Sequence, residues 1–234
     1  MTDSNFHPTR WTLVLRARGE GVEAEAALSD LCGAYYAPVV AFLRRDGRGD
    51  DAAREMAHAF FATVLAGGVG TPDQTRGRFR SYLLGSLKHF LSKQRDAGLA
   101  AKRGGGVEHV PLVSETDTNP GLPLAGTEDS ALAFDREWAL ALIGRALSML
   151  EMEHLGKEFI FSTLKPWLDG GAEMAQSEAA RTLGISETAV KVAIHRLRVR
   201  FRELIRAEVA ATVNDPQEAA DELRHLIEIV ASGG

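Results

Sequence analysis

Basic and aromatic side chains alternate between residues 76 and 103. This stretch holds eight basic residues and one acidic residue, Asp96, and so carries a net charge of +7. Cationic groups bind a phosphate backbone, and aromatic rings stack on unpaired bases. The spacing of Phe79 and Phe90 indicates core positions, which leaves Tyr82 and His89 as the better candidates for base contact. The pattern predicts a surface for unpaired DNA, with these candidate contacts: Arg78, Arg80, Tyr82, Lys88, His89, Lys93 and Arg95.

A second cationic stretch lies between residues 186 and 206. It holds six basic and two acidic residues, for a net charge of +4. Because the whole chain has a net charge of -5, the sequence outside the two stretches carries -16. Two cationic stretches in an acidic chain indicate two separate contacts with a polyanion.

The residues before the second stretch are typical of a helix-turn-helix. The small residues Ala179 and Ala180 precede Gly184, Ile185 and Ser186. Glycine can adopt the positive φ of a tight turn, and serine can cap the helix that follows. The sequence therefore predicts a short helix, a turn and a recognition helix.

The predicted recognition helix has two different faces. Its apolar positions recur at three- and four-residue steps and are expected to face a core: Val190, Ile194, Leu197, Phe201 and Leu204. The early polar residues are predicted to read bases in the major groove and the later arginines to meet phosphates. The candidate DNA contacts are Ser186, Glu187, Thr188, Lys191, His195, Arg196, Arg198 and Arg200. The alternative is a structural helix pair with a solvated charged face.

Acid and base groups that could act in catalysis cluster tightly at one place only. Glu151, Glu153 and His154 lie at a predicted helix end without a partner motif. The glycines at 104–106 follow no predicted strand and make a poor phosphate-binding loop. We therefore expect a protein that is not an enzyme, with no cofactor and no metal site.

Hydrophobic periodicity predicts an all-α fold. Helices are expected at about 23–45, 51–66, 77–97, 134–150, 159–168, 175–183 and 187–211, with a last helix starting at Asp215-Pro216. Glycine, proline and polar residues predict a flexible linker between two small helical domains. The predicted parts are a first domain at 1–103, the linker at 104–130, a helix-turn-helix domain at 131–213 and a C-terminal helical extension at 214–234.

Three further features predict a soluble, cytoplasmic protein without a membrane contact. The N-terminus lacks a charged region followed by an apolar run. No continuous apolar stretch approaches the roughly 18 residues that a membrane span needs. Cys32 is the only cysteine, so the chain has no internal disulfide framework, and we expect a buried thiol.

The whole chain resembles the extracytoplasmic-function (ECF) class of bacterial sigma factors, in the sigma-70 family. It is similar in particular to a subgroup with a C-terminal helical extension. The stretches that carry the resemblance are Pro8-Thr9-Arg10-Trp11-Thr12-Leu13-Val14, Arg76-Gly77-Arg78-Phe79-Arg80-Ser81-Tyr82-Leu83-Leu84, Leu87-Lys88-His89-Phe90-Leu91, Lys102-Arg103-Gly104-Gly105-Gly106 and Ala189-Val190-Lys191-Val192-Ala193-Ile194-His195-Arg196-Leu197-Arg198.

The resemblance implies a role in transcription initiation. The first domain, like sigma region 2, would bind core RNA polymerase and open the minus-ten element. The second domain, like region 4, would place its recognition helix on the minus-thirty-five element. Tyr82 stands where such factors often keep an aromatic residue for promoter melting, and Lys88, His89 and Lys93 lie where the non-template strand would run.

The resemblance also implies a polymerase-binding helix. Where the family has an Asp-Leu-x-Gln-x-Phe-Phe-like pattern, this chain has Glu55-Met56-Ala57-His58-Ala59-Phe60-Phe61. The implied polymerase contacts are Glu55, His58 and Phe61, with His58 in place of the usual glutamine. An imidazole can still donate a hydrogen bond.

The expected partners are core RNA polymerase and promoter DNA. An inhibitory anti-sigma factor, or another sequestering protein, is a further expected partner, because such factors are often held silent. The alternative is a stand-alone helix-turn-helix regulator that binds duplex DNA without polymerase. That alternative leaves the basic and aromatic stretch at 76–103 without a role.

Overall fold

The described part of the protein contains helices and no strands, which confirms the all-α prediction. The computed structural model describes residues 10–68, 78–102, 128–168, 170–213 and 215–232. Its helices are α1 (Arg10–Ala17), α2 (Val22–Arg45), α3 (Asp50–Leu65), α4 (Phe79–Lys102), α5 (Glu128–Glu153), α6 (Glu158–Leu164), α7 (Gln176–Leu183), α8 (Glu187–Ala210) and α9 (Pro216–Ala231). A 3₁₀ turn, Lys165–Trp167, follows α6.

The chain divides into two compact units. Among the described residues, those up to 138 form the N-terminal unit and those from 139 onward form the C-terminal unit. Helix α5 is continuous through this division. The predicted linker lies outside the described residues as far as residue 127, and residues 128–130 form the first turn of α5.

Aromatic side chains form much of the core of the N-terminal unit. The ring of Trp11 meets that of Phe79 edge to face, with 5.2 Å between their centroids. The rings of Tyr35 and Trp138 stack at 4.5 Å. All four side chains are buried. The cluster therefore joins α1, α2, α4 and the first part of α5.

Helix α1 has no counterpart among the helices predicted from periodicity. It is only eight residues long, so it offers too few turns for a periodic pattern to register. Burial of Trp11, Leu13 and Val14 holds it on the unit. Packing against the rest of the unit, rather than local propensity, stabilises a helix this short.

A buried ion pair joins α4 to the first part of α5. The Arg80 guanidinium donates from Nη1 to Asp135 Oδ1 at 2.6 Å. Only 10% of the Arg80 side chain and 11% of the Asp135 side chain are exposed. Residues 131–138, which the sequence assigns to the second domain, thus pack within the N-terminal unit through Phe134, Asp135 and Trp138.

The C-terminal unit packs the second part of α5, the 3₁₀ turn, α6, α7 and α8 around one core. Four of the five predicted core residues of α8 are buried there: Val190, Ile194, Leu197 and Leu204. The fifth, Phe201, is partly buried against the same cluster. The inward face predicted for α8 is therefore confirmed.

Helix α9 begins where the sequence predicts it. Pro216 occupies its first turn, and the Asp215 side chain accepts a hydrogen bond from the backbone N–H of Gln217 at 2.8 Å. Proline is favoured in the first turn because a backbone N–H there has no acceptor within the helix, so no hydrogen bond is lost when proline lacks it. The helix buries Leu226 and Glu222.

Helix α2 is the one helix in the described ranges that is long and apolar enough to cross a membrane. Its best 18-residue window has a mean hydropathy of 1.4, and half of that window is buried inside the protein. The apolar residues of α2 do not form a continuous run, because Ser29 and Asp30 interrupt them. A buried core helix meets the same criterion.

Candidate nucleic-acid interface

A tight turn of three residues, 184–186, joins α7 to α8. Gly184 lies in the left-handed region, with φ 66° and ψ 29°. The backbone N–H of Ile185 donates to the carbonyl of Ala180 at 3.0 Å, which closes the end of α7. Ser186 Oγ accepts from the backbone N–H of Ala189 at 3.2 Å and caps α8. Both local predictions, for Gly184 and for Ser186, are confirmed.

The small residues of α7 allow α8 to approach closely. Ala179 is fully buried and Ala180 is 7% exposed, and both lie in the core cluster with Val190 of α8. A larger side chain at residue 179 would push the two helices apart. The sequence therefore fixes the orientation of α8 through side-chain size as well as through the turn.

The first turns of α8 present their polar side chains to solvent. Glu187, Thr188, Lys191 and His195 are all exposed, as is the capping residue Ser186. Lys191 Nζ lies 3.1 Å from a carboxylate oxygen of Glu187, one turn earlier. An exposed pair of this kind is worth only about 0.3–0.5 kcal/mol. Lys191 can therefore exchange Glu187 for another acceptor at little cost.

Val192 lies on the same exposed surface, although it is not among the DNA contacts predicted from the sequence. Its side chain is 43% exposed, and it follows Thr188 by four residues and precedes His195 by three. Residues at these steps are neighbours on one helix face. An exposed apolar group there suits contact with a thymine methyl group. The position of Val192 in the helical repeat could have identified it, but the candidate contacts on this helix were limited to polar and charged residues.

The three candidate arginines of α8 differ in their surroundings. Arg196 is exposed and forms no ion pair with a described residue. Arg198 is half-buried, and its Nε donates to the carbonyl of Trp167 at 2.8 Å. Arg198 therefore anchors α8 to the 3₁₀ turn.

Arg200 is held by two carboxylates. Its Nη2 lies 2.6 Å from Glu153 Oε1, and its Nη1 lies 2.9 Å from Glu203 Oε2. Hydrogen bonds from Arg200 are the main reason that the pKa of Glu153 is lowered. The charge of Arg200 is thus offset within the protein itself.

Helix α4 carries the first cationic surface. Its buried side includes Phe79 and Phe90, as the sequence predicts. His89 and Lys93 are exposed, and Lys88 is partly exposed. Arg95 is exposed and lies 3.0 Å from the carboxylate of Asp46. Arg78, just before the helix, is partly buried.

Arg80 and Tyr82 are less accessible than their neighbours on α4. A contact between Arg80 and DNA would first have to break its buried pair with Asp135. The Tyr82 ring packs on Trp11, with 5.1 Å between ring centroids. Burial raises the pKa of the Tyr82 hydroxyl, against the opposing effect of the Arg18 charge. Tyr82 is therefore a partly covered ring, two turns before the exposed His89.

The three candidate polymerase contacts lie on α3. Glu55 and His58 are exposed. The His58 ring stacks on Tyr36 of α2 at 5.2 Å between centroids. Phe61 is 4% exposed and packs in the unit beside Phe60. The exposed surface of α3 therefore presents Glu55 and His58, whereas Phe61 is buried in the unit.

The acid and base cluster near residue 151 is divided among separate partners. Glu151 pairs with Lys165 at 2.6 Å, and Glu153 pairs with Arg200. His154 Nδ1 lies 2.8 Å from the carbonyl oxygen of Leu150. The three groups are therefore engaged with different neighbours rather than directed at a common point.

Comparison with protein-family models, curated proteins and solved structures finds no match to this chain.

Proposed function

We propose that this protein is a sigma factor similar to the ECF class. In this proposal it binds core RNA polymerase, directs it to specific promoters and assists promoter melting, all in the cytoplasm. The observation that carries the proposal is the tight turn between α7 and α8, with Gly184 in the left-handed region and Ser186 capping a helix whose first turns are exposed. Such an arrangement fits the insertion of a helix N-terminus into the major groove.

The distribution of groups along α8 supports two kinds of DNA contact. Thr188, Lys191 and Val192 are exposed in the first two turns, where base edges would lie. Arg196 follows with an exposed charge that no described carboxylate offsets, which suits it to a phosphate. Base contacts confer specificity, and phosphate contacts set position and affinity.

The surface of α4 supports a second contact, with unpaired DNA. His89 and Lys93 are exposed on this helix, one turn apart. Tyr82 lies one helical heptad before His89, at the edge of the aromatic cluster. Rings and cations side by side suit the capture of unstacked bases, whose extrusion costs a few kcal/mol.

On α3, Glu55 and His58 would meet the polymerase. Both are exposed and lie one turn apart. Stacking on Tyr36 fixes the direction of the His58 ring. A neutral imidazole can donate one hydrogen bond and accept another, so it can replace the amide of a glutamine in such a contact.

The test is transcription from DNA fragments that the protein and core RNA polymerase bind together. DNA would be enriched from a random pool by the protein together with core RNA polymerase, and the enriched fragments would be used in run-off assays with and without the protein. A sigma factor gives transcripts only when both components are present. Binding to duplex DNA without any polymerase-dependent initiation would contradict the proposal and favour the stand-alone regulator.

A matched pair of variants links initiation to the recognition helix. Arg196→Ala removes an exposed arginine from α8, whereas Arg224→Ala removes an exposed arginine from α9 that pairs with Asp221. We expect the first variant to reduce run-off product at limiting promoter concentration and the second to leave it unchanged. Equal losses from both would contradict a role for the α8 surface.

A further inference from the structure

An apolar cavity lies in the C-terminal unit, away from the first turns of α8. It has a volume of about 480 Å³ and is bounded by α5, the second half of α8 and α9. Helix α9 lines it with Leu223, Leu226, Ile227 and Val230. Because 59% of the Ile227 side chain is exposed, solvent reaches the cavity on this side. The volume lies within the range of roughly 300–1,000 Å³ typical of small-molecule sites.

Among the described residues that line the cavity, two are polar, and both are arginines. Arg202 and Arg206 lie on α8, one turn apart, which places their Cβ atoms about 5–6 Å from each other. Both are exposed, and neither pairs with a carboxylate in the described part of the chain. Their neighbours Arg145 and Arg200 are paired, with Glu208 and Glu153 respectively. The cavity therefore combines an apolar wall with two uncompensated positive charges.

We propose that this cavity binds a fatty acid, with the acyl chain along α9 and the carboxylate between Arg202 and Arg206. The apolar lining favours an alkyl chain because its burial releases ordered water. The guanidinium groups favour a carboxylate, with which they form paired, charge-assisted hydrogen bonds. A nucleic-acid phosphate would satisfy the arginines but leave the apolar wall unused, and a neutral lipid would satisfy only the wall.

This site also joins α9 to the recognition helix. A bound chain would contact α9 and the second half of α8 at once, and the first half of α8 carries the candidate DNA contacts. The proposed ligand would therefore stabilise the packing of α9 on α8. Binding of the ligand does not depend on the sigma-factor proposal, and its measurement needs neither DNA nor polymerase.

The experiment is calorimetric titration of the full chain with dodecanoate, below its micelle concentration, and with dodecanol as the neutral ligand of equal chain length. We expect saturable binding of dodecanoate, at least tenfold tighter than that of dodecanol. Equal affinity for the two ligands, or no saturable binding of dodecanoate, would overturn the proposal.

Two kinds of variant locate the site. Ile227→Glu places a carboxylate in the cavity wall, and we expect it to weaken dodecanoate binding at least tenfold. Its control is Leu155→Glu, which changes a 72% exposed leucine outside the cavity. The double variant R202A/R206A should weaken dodecanoate at least tenfold and dodecanol by less than twofold, with Arg196→Ala as its control.

The outcomes of these variants are decisive in both directions. The substituted side chains are exposed, so all variants should retain the circular dichroism of the parent, and the double arginine variant tests the site even if I227E alters α9. Loss of dodecanoate binding in the cavity variants alone supports the proposal. Equal affinities in all variants, or equal losses in the controls, would show adsorption elsewhere and overturn it.

Discussion

The arginines of the two cationic stretches differ sharply in what surrounds them. Arg80 and Arg200 have carboxylate partners, while Arg196 is exposed and has no carboxylate partner among the described residues. Two of these partners are distant in sequence: Asp135 lies 55 residues after Arg80, and Glu153 lies 47 residues before Arg200. Local charge counts cannot reveal such neutralisation, because it depends on tertiary contacts. Residue type predicted the surfaces, but not which arginines remain available.

This difference predicts unequal effects on DNA binding. Arg196→Ala should weaken binding to all sequences and reduce the salt dependence of log K by about one unit, because one phosphate contact is lost. Arg200→Ala should change the salt dependence less, because Glu153 and Glu203 already offset its charge. Fluorescence anisotropy over a salt series measures both slopes. A larger slope change for Arg200→Ala would show that DNA displaces the two glutamates.

The Arg80–Asp135 pair predicts a large loss of stability. Removing one partner of a buried ion pair is strongly destabilising, so Arg80→Ala should lower the free energy of unfolding by about 3–5 kcal/mol. Arg54→Ala is the control, since Arg54 pairs with Asp50 where both are about half exposed, and it should cost under about 1 kcal/mol. Urea denaturation measures both. Similar costs would mean that the Asp135 charge is solvated.

The Glu153–Arg200 pair predicts a pH-dependent contribution to stability. Because Arg200 lowers the pKa of Glu153 in the folded protein, the contribution is present above the unfolded pKa of about 4.3 and is lost as pH falls through the folded value. The pair is partly exposed, so the effect should stay below about 1 kcal/mol. Glu153→Gln should therefore be less stable than the parent at pH 7, and the difference should be smaller at pH 3. A constant difference at both pH values would contradict this assignment.

At the scale of the elements, local signals in the sequence predicted most helix positions. Residue 184 has a positive φ, which glycine adopts readily, and residue 186 supplies a capping oxygen, which serine carries. Both features can therefore be predicted from the residue type. Helix α1 was missed because eight residues carry too little periodicity. The packing of residues 131–138 within the N-terminal unit was also missed. Hydrophobic periodicity predicts which side of a helix is buried, but not which other helices pack against that side.

Replacing Gly184 is expected to cost folding free energy through backbone strain alone. A Cβ at this residue would meet no atom within 4 Å, yet φ is +66°. Gly184→Ala should therefore cost about 1–2 kcal/mol and weaken duplex DNA binding by misplacing α8. Gly144→Ala is a matched control, because it is helical and its added Cβ also meets nothing. That substitution should stabilise the protein by roughly 0.5–1 kcal/mol, and thermal denaturation measures the two opposite signs.

At the scale of the whole molecule, helix α5 belongs in part to each unit. Its residues Phe134, Asp135 and Trp138 are buried in the N-terminal unit, although the sequence assigns them to the second domain. A fragment of residues 1–103 would leave Tyr35 without Trp138 and Arg80 without Asp135. A division of the chain at residue 103 therefore removes part of a core.

The fragments predict which residues the first unit requires. Residues 1–138 should unfold cooperatively in urea, whereas residues 1–103 should be less stable by at least the roughly 3–5 kcal/mol that loss of one buried tryptophan costs. Cooperative unfolding at the same urea concentration for both fragments would contradict this expectation. Trp138→Ala in the longer fragment is the control that isolates the aromatic contact.

The three tryptophans also give each unit its own optical signal. Trp11 and Trp138 lie in the aromatic cluster of the N-terminal unit, and Trp167 lies in the core of the C-terminal unit with its carbonyl bound by Arg198. Since the chain contains no other tryptophan, Trp167→Phe leaves an emission spectrum that reports on the N-terminal unit alone. The double variant W11F/W138F leaves a single fluorophore behind the recognition helix. Tryptophan emission can thus report separately on the proposed polymerase contact at one unit and on the proposed DNA contact at the other, without any attached dye.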